Sequence, residues 1–167
     1  MTKSINNSVS VSIIGGSGYT GAELMRLIAK HPNFRLVDVV ANRSAGKKIE
    51  NIFPHLRHLN FPNFITFEEM NFDDVELIFC ALPHATSQKI IVKIPEGIKI
   101  IDLSADFRLE SIEQYERWYG QKHIAPLLQE KAVYGLTEIY KEKILSLYTS
   151  DAADDLLCVD LGGRRII

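Results

Sequence analysis

The chain has 167 residues, of which 46% are hydrophobic and 24% charged, and its formal net charge is −2. This composition is typical of a globular domain with its own core, and the charge gives no reason to expect nucleic acid or an anionic membrane as a partner. No apolar run approaches the roughly 20 residues of a membrane span, the first residues lack a signal-peptide core, and two cysteines fit a reducing cytoplasm.

The first feature along the chain is a strand, a glycine-rich turn and a helix in immediate succession. Val9–Ile14 is apolar and β-branched, which predicts a strand, and a helical pattern begins at about Thr20. The turn between them has the spacing G-x-x-G-x-x-G, at Gly15, Gly18 and Gly21. Such a turn lets backbone N–H groups approach an anion, and the helix N-terminus adds unpaired donors and partial positive charge. The segment therefore predicts a phosphate-binding site.

The tip of the second strand, predicted at residues 35–41, indicates which nucleotide is bound. NAD sites usually place an acidic residue there, because it accepts hydrogen bonds from the ribose hydroxyls. Asp38 lies too early in the strand for that role, and Arg43 and Ser44 follow the tip. Their donors and positive charge suit a 2′-phosphate, so the sequence favours NADP. The lysine pair after them either contributes to the site or is simply solvated.

Residues 49–72 are irregular and aromatic, and two candidate reactive groups lie in or after them. His55 and His58 could face the same way on a helical turn, but no acidic or cysteine cluster completes a metal set, so a structural or surface role is favoured. A buried strand is predicted at residues 76–82, with Cys80 in its middle. Burial disfavours the thiolate, and we expect Cys80 to be an inert core residue.

The loop after that strand is predicted to lie at the ligand-binding edge of the sheet, where the carboxyl ends of parallel strands meet. His84 in this loop is a candidate catalytic base, although a histidine beside a cofactor more often packs or forms a hydrogen bond. Thr86 or Ser87 is expected to cap a helix that runs to about Lys93.

Arg108 follows the next predicted strand, residues 98–103, and its guanidinium could clamp a phosphate or carboxylate. The alternative is an ion pair with Asp106 or Glu110. A helix is predicted at Ile112–Tyr119 and a short strand at residues 132–136.

Taken together, these segments resemble N-acetyl-γ-glutamyl-phosphate reductase, of the aspartate-semialdehyde dehydrogenase-like superfamily. The resemblance is carried by GGSGYTGAEL, NRSAGK, ALPH, IDLSADFR, WYG and AVYGLTE, in this order. It implies a Rossmann-type, doubly wound α/β fold with a mostly parallel sheet and helices on both faces. It also implies an enzyme of arginine biosynthesis in which a cysteine attacks an acyl phosphate, and NADPH reduces the resulting thioester to N-acetylglutamate 5-semialdehyde.

The resemblance also assigns site residues by motif. Arg108 is expected to bind the substrate's phosphate or carboxylate. The expected cofactor-binding residues are Gly15, Ser17, Gly18, Tyr19, Thr20, Gly21, Arg43, Ser44, Leu82, Pro83, His84 and Ser87. No metal is expected, and the whole protein is expected to be a homo-oligomer with a small-molecule substrate.

The sequence departs from the family after Ile144. The Asn-Pro-Gly-Cys motif that holds the nucleophile in the family is absent, and Cys158 follows Asp-Asp-Leu-Leu instead. We expect residues 1–8 to be disordered, residues 9–146 to form the NADP-binding domain, and residues 147–167 to be a non-native, adapter-like tail that replaces the substrate domain. Such a chain is expected to bind NADP weakly at best and not to turn over.

Two other functions fit the same residues. One is a related N-acetyl-aminoadipyl-phosphate reductase of lysine biosynthesis, whose cofactor half would look much the same. The other is a non-enzymatic NADP-binding module. The segment 103–108 argues against the second, because a nucleotide binder has no evident need for an anion clamp beyond its cofactor loops.

Overall fold

The computed structural model of the chain describes residues 8–154 and 165–166. Nearly all of the N-terminal segment expected to be disordered, and also Cys158, lie outside these residues. The chain divides between Ala81 and Leu82 into two compact units. Within the part of the chain that the structure describes, no helix has both the length and the apolar character needed to cross a membrane.

The first unit is built on a parallel sheet in the order β3-β2-β1-β4. Its strands are β1 (Val9–Ile14), β2 (Phe34–Val40), β3 (Phe64–Ile65) and β4 (Leu77–Cys80). The central strand β1 pairs with β2 on one side and β4 on the other, with Ile14 opposite both Val40 and Cys80. Its apolar side chains are almost completely buried, as expected for a parallel strand covered on both faces.

Two helices and three 3-10 turns complete this unit. The helices are α1 (Tyr19–Ile28) and α2 (Ile49–Ile52), and the 3-10 turns are Asn42–Ser44, Pro54–Leu59 and Phe72–Asp74. Helix α1 buries Met25 and Ile28, and it packs against β1 and β2. Strand β1 begins where it was predicted, and α1 begins one residue before the predicted start. The fold therefore places the glycine turn directly between a buried strand and an amphipathic helix.

The second unit contains strands β5 (Lys99–Asp102) and β6 (Arg165–Ile166), which pair in parallel. Its helices are α3 (Ser87–Ile91), α4 (Ile112–Tyr119), α5 (Pro126–Lys131) and α6 (Thr137–Asp154). Helix α4 has the predicted bounds because Ser111 accepts a hydrogen bond from the Gln114 N–H at its start and Gly120 adopts a left-handed conformation at its end. Helix α6 is interrupted at Tyr140, whose backbone is not helical.

Two local predictions in this unit are wrong. Neither Thr86 nor Ser87 caps α3 through its side chain: Thr86 makes no capping hydrogen bond, and the Ser87 hydroxyl donates to Asp102. Residues 132–136 form no strand. They are a mostly exposed connection between α5 and α6, and no neighbouring strand among the described residues pairs with them.

Candidate functional site

The glycine turn is fixed to the end of β2 by its own backbone. The N–H groups of Gly15 and Gly16 both donate to the carbonyl oxygen of Val40, at 2.9 Å. Gly15 has a φ of 90°, a conformation that residues with a Cβ rarely adopt. The turn therefore lies beside the tip of β2, which is where the sequence predicts the recognition of the ribose.

The N-terminus of α1 is open to an anion. Gly18 is the N-cap, no side chain caps the helix, and its first turn contains no acidic residue. The first N–H groups of a helix have no partner within the helix and carry its partial positive charge. Ser17, Gly18, Tyr19 and Thr20 are all exposed, so these donors face accessible space.

The glycines of the turn differ in how much space a Cβ atom would have at each position. A Cβ on Gly21 would lie 2.6 Å from the Cα of Gly16, so the helix and the turn approach each other too closely for any side chain. A Cβ on Gly18 would meet only the Gly15 carbonyl oxygen, at 3.9 Å. Gly16, which the predicted pattern leaves out, is tightly packed, because a Cβ there would overlap Cγ1 of Val39. The space above Gly18 is thus empty, as a phosphate cradle requires.

The tip of β2 presents a cation that has no partner among the residues that the structure describes. Arg43 lies on the 3-10 turn Asn42–Ser44 and is exposed, and within residues 8–154 its guanidinium has neither a hydrogen-bond nor an ion-pair partner. Lys48 differs, since its ammonium lies 3.5 Å from a carboxylate oxygen of Glu50. This arrangement fits the recognition of an anionic group by Arg43.

Asp38 does not supply the acidic residue of an NAD site at this tip. It lies within β2, two residues before its end, and one of its carboxylate oxygens is buried with no hydrogen-bond partner among the described residues. Burial, assisted by the negative charge of Asp74, raises the pKa of the Asp38 carboxyl. The hypothesis that Asp38 is placed too early for the ribose agrees with this position.

In the second unit, the predicted site residues in and after the loop before α3 differ in their exposure to solvent. Leu82 is half-buried, Pro83 and His84 are exposed, and the centre of the His84 ring lies 5.7 Å from that of Tyr119. Ser87 is fully buried, and its hydroxyl donates to Asp102 over 2.8 Å. Ser87 can therefore shape this loop, whereas His84 is accessible.

Arg108 is held by backbone carbonyls and not by a carboxylate. Its Nε donates to the oxygen of Ser104 at 2.9 Å, and one terminal nitrogen donates to that of Leu103 at 3.1 Å. Arg108 forms an ion pair neither with Asp106 nor with Glu110. The carboxylate of Asp106 accepts hydrogen bonds from other donors. Arg108 is exposed and lines two cavities, of about 480 and 320 Å³, together with Tyr134.

Three ionisable groups beneath this loop have shifted pKa values. Burial raises the pKa of Asp102, although hydrogen bonds from Ser104 and Ser87 oppose the shift. Burial and a hydrogen bond to Asp106 raise the pKa of the Tyr115 hydroxyl, which keeps it a donor. Burial lowers the pKa of His123. Nδ1 of His123 accepts from the Ala125 N–H, so Nε2 carries the proton and donates to the carbonyl of Asp106.

We expect the neutral His123 to make the fold sensitive to acid. Because the pKa of His123 in the folded chain lies below the ordinary value of 6.5, its contribution to stability is present above pH 6.5 and is lost as the pH falls. The melting temperature of the chain should therefore fall between pH 7.5 and 5.5. The raised pKa of Asp102 acts in the opposite direction, since its protonation stabilises the fold.

Substitution separates the two contributions. Asparagine at position 123 keeps an acceptor for the Ala125 N–H but cannot gain a proton, so His123→Asn should show a smaller loss over the same pH range. His55→Asn, which changes an exposed histidine, serves as the control and should follow the parent chain. An unaltered pH dependence in His123→Asn would show that this histidine does not titrate on unfolding.

The other candidate reactive residues remain outside the site. His55 and His58 lie exposed on the 3-10 turn Pro54–Leu59, and Cys80 is buried in β4. No group of three or more potential metal ligands occurs among the residues that the structure describes.

A comparison of the sequence with known protein families gives a result that is consistent with this geometry. The family described as semialdehyde dehydrogenase, NAD binding domain, matches residues 10–147. The chain belongs to this family. As a semialdehyde dehydrogenase NAD-binding domain, it has the strand, glycine turn and helix that the nucleotide requires, and membership supports the binding of a nicotinamide nucleotide.

Two curated relatives carry the same name. N-acetyl-gamma-glutamyl-phosphate reductase of Cereibacter sphaeroides is 55% identical over 135 residues, which are 81% of this chain and 40% of that protein. The probable chloroplastic N-acetyl-gamma-glutamyl-phosphate reductase of Arabidopsis thaliana is 49% identical over 136 residues, which are 81% of this chain and 34% of that protein. The chain thus spans about 40% or less of the length of these relatives.

Solved structures agree on the fold. Aspartate semialdehyde dehydrogenase of Candida albicans, determined with NADP, superposes with a TM-score of 0.69 and 17% identity, covering 96% of this chain and 42% of that one. At this identity the likeness concerns the fold alone, and it confirms the prediction of a Rossmann-type α/β fold.

Sequence reasoning missed the buried polar residues that support the exposed ones. Asp106 entered only as a partner for Arg108, and Gln88, Tyr115 and His123 were not singled out. The available signal is the alternation of Asp102, Ser104 and Asp106, which begins at the last residue of β5. Short polar side chains at alternate positions often organise loops by forming hydrogen bonds with nearby backbone groups.

Proposed function

We propose that this chain is the NADP-binding part of an N-acetyl-γ-glutamyl-phosphate reductase of arginine biosynthesis. The whole enzyme would reduce N-acetyl-γ-glutamyl phosphate to N-acetylglutamate 5-semialdehyde and release phosphate. The observation that carries this proposal is the 55% identity with a reductase of that name over 135 residues, which are 81% of this chain. The exposed Arg108 beside a cavity of about 480 Å³ is consistent with a second, anionic ligand.

The proposed cofactor is NADP in preference to NAD. Arg43 is exposed at the tip of β2 and has no partner in the described part of the chain. Ser44 follows it on the same turn, and the acidic Asp38 lies farther back in the strand. A guanidinium can form two parallel hydrogen bonds with a phosphate. The 2′-phosphate of NADP is therefore the group that Arg43 and Ser44 would bind.

The remaining assignments follow the geometry of each unit. The turn at Gly15 and the uncapped α1 N-terminus would bind the cofactor's pyrophosphate through backbone N–H groups. Leu82, Pro83 and His84 would contact the nicotinamide end of the cofactor. Ser87 would support their loop through its hydrogen bond to Asp102. When bound, the cofactor supplies the hydride for the reduction.

Arg108 is proposed to bind the phosphate or carboxylate of the substrate. Its two hydrogen bonds to the Ser104 and Leu103 carbonyls fix the guanidinium plane and leave further N–H groups facing outward. A donor that is positioned before the ligand arrives loses less conformational entropy on binding. The side chain therefore has the properties of a preorganised anion clamp.

We propose that the chain on its own binds the cofactor weakly and does not turn over. The sequence contains no Asn-Pro-Gly-Cys segment, and residues 147–167 are proposed not to be native to the reductase. The whole enzyme is proposed to be a cytoplasmic homo-oligomer. Oxidation of NADPH by this chain that depends on the acyl phosphate would contradict the proposed loss of activity.

The cofactor proposal predicts a measurable preference for the phosphorylated nucleotide. Isothermal titration calorimetry of the 167-residue chain should give a dissociation constant for NADPH at least roughly 10-fold lower than that for NADH, since a hydrogen bond to a charged group contributes about 1.5–3 kcal/mol. Binding of 2′-phospho-AMP but not of 5′-AMP would support the same assignment. Equal affinities for NADPH and NADH would overturn it.

A further inference from the structure

The carboxylate of Asp106 joins two loops of the second unit. Asp106 is completely buried. One of its carboxylate oxygens accepts from the Ala85 N–H at 2.7 Å and from the Tyr115 hydroxyl at 2.8 Å, and the other accepts from the Gln88 N–H at 3.1 Å. All three donors are neutral. A buried carboxylate with neutral donors is tolerated only when its oxygens are well hydrogen-bonded.

The turn that donates these bonds also has backbone bonds from the Thr86 and Ser87 N–H groups to the Pro83 carbonyl, but its conformation is unfavourable at one residue. Ala85 has a φ of 61°, in the left-handed region that disfavours residues with a Cβ. Thr86 precedes α3 but makes no side-chain capping bond. Asp106 takes over that role, because its carboxylate accepts the Gln88 N–H in the first turn of the helix. The carboxylate thus binds the turn on both sides of residue 86, immediately after His84.

Asp106 is itself held in place. Its N–H donates to the Ser104 hydroxyl at 3.1 Å, and its carbonyl lies 3.1 Å from Nε2 of His123. The side chain of Gln88 completes the arrangement, donating to the Tyr115 hydroxyl and accepting from the Ile124 N–H, each at 2.8 Å. A carboxylate anchored at its own backbone can fix the conformation of its partners.

We propose that Asp106 is a positioning residue: its carboxylate holds the turn at residues 83–88, and with it His84, in the conformation that receives the cofactor. Because Asp106 precedes Arg108 by two residues, the same bonds tie the proposed anion-binding loop to the proposed cofactor loop. The identity of the ligand rests on the proposed function, whereas the control of the turn by Asp106 does not.

The test is Asp106→Asn in the full chain. An asparagine cannot accept on both sides, since its amide nitrogen faces either the Gln88 N–H or the Ala85 N–H and the Tyr115 hydroxyl. Hydrogen exchange followed by NMR should show the Ala85 and Gln88 amides exchanging at least roughly 10-fold faster. The Gln114 amide, which is bonded to Ser111 on α4, should be unchanged. Calorimetry should show the NADPH dissociation constant rising about 10-fold.

Two further variants make the test specific. Asp73→Asn makes the same chemical change at an exposed position of the first unit and should alter neither measurement. In the Asp106→Asn background, Ala85→Gly should recover part of the NADPH affinity, because glycine adopts the left-handed conformation without the support of Asp106. A purely structural role of Asp106 would not produce this rescue.

The outcomes separate the two proposals. If the parent chain binds no nucleotide, the proposed function fails, and the exchange rates at Ala85 and Gln88 still decide the role of Asp106. If those rates do not change relative to Gln114, the positioning role is overturned. If Asp106→Asn does not fold, Tyr115→Phe serves instead, because it removes one donor to the carboxylate. It should accelerate amide exchange at Ala85 and Gln88 more than at Gln114. Unchanged rates in that variant would also overturn the proposal.

Discussion

Replacing Arg43 with aspartate should weaken NADPH binding by about 100-fold and leave NADH binding unchanged or stronger. The substitution removes a charge-assisted hydrogen bond that contributes roughly 1.5–3 kcal/mol and places a negative charge beside the 2′-phosphate. It also supplies the acidic side chain that accepts hydrogen bonds from the ribose hydroxyls in NAD sites. Calorimetric titration of the variant with both nucleotides measures the change in preference directly.

Arg57→Asp is the matched control for this prediction. Arg57 is exposed on the 3-10 turn Pro54–Leu59 of the same unit, and its substitution changes the net charge by the same amount at a position that is not proposed to bind the cofactor. A general electrostatic effect would weaken NADPH binding in both variants alike, and more so at low salt. The assignment of Arg43 fails if its variant keeps the parent preference, or if Arg57→Asp loses as much.

The first unit was predicted well because its signals are local. The run of apolar residues Val9–Ile14 is a strand in the structure, and the glycines after it lead directly into α1. Burial on both faces of a parallel strand makes nearly every position apolar. The position of Arg43 followed from the same logic, since the residues that leave a parallel strand lie at one edge of the sheet.

The second unit was predicted less well because long-range contacts decide its loops. Local sequence assigned a cap to Thr86 or Ser87, and the structure assigns that role to Asp106, about 20 residues away in the chain. Local sequence also suggests an ion pair between Asp106 and Arg108, which lies two positions away. In the structure, the Arg108 guanidinium instead donates to backbone carbonyls. A pattern of neighbours cannot reveal which of several equivalent donors a buried carboxylate will meet in the folded chain.

The glycine pattern shows the same limit within a motif that was recognised correctly. The spacing of Gly15, Gly18 and Gly21 predicts a phosphate turn but treats its members alike. In the structure, Gly15 is required for its positive φ, Gly21 for the close approach of the helix to the turn, and Gly18 for neither reason. Gly18 is the N-cap of α1, a position where glycine is common, and the structure leaves space there for the proposed ligand.

Gly21→Ala should destabilise the chain by about 3 kcal/mol, at the upper end of the usual cost of overpacking. The new Cβ would lie 2.6 Å from the Cα and carbonyl oxygen of Gly16. Those atoms belong to the backbone, so neither can rotate away, and α1 must separate from the turn. Thermal denaturation should show a melting temperature lower by roughly 6–12 °C, and NADPH binding should be lost with the geometry of the turn.

Gly18→Ala should separate stability from binding. Its backbone is extended, with φ −89° and ψ 171°, and its Cβ would meet no atom closer than 3.9 Å. An alanine fits there without strain, so the free energy of unfolding should change by less than about 1 kcal/mol. The same methyl group would occupy the space in front of the α1 N–H groups and should weaken NADPH binding at least roughly 10-fold.

If Gly18→Ala binds NADPH as the parent does, the cofactor's phosphates do not lie at this helix N-terminus. If Gly21→Ala is as stable as Gly18→Ala, the close approach of α1 to the turn is not a constraint on the fold.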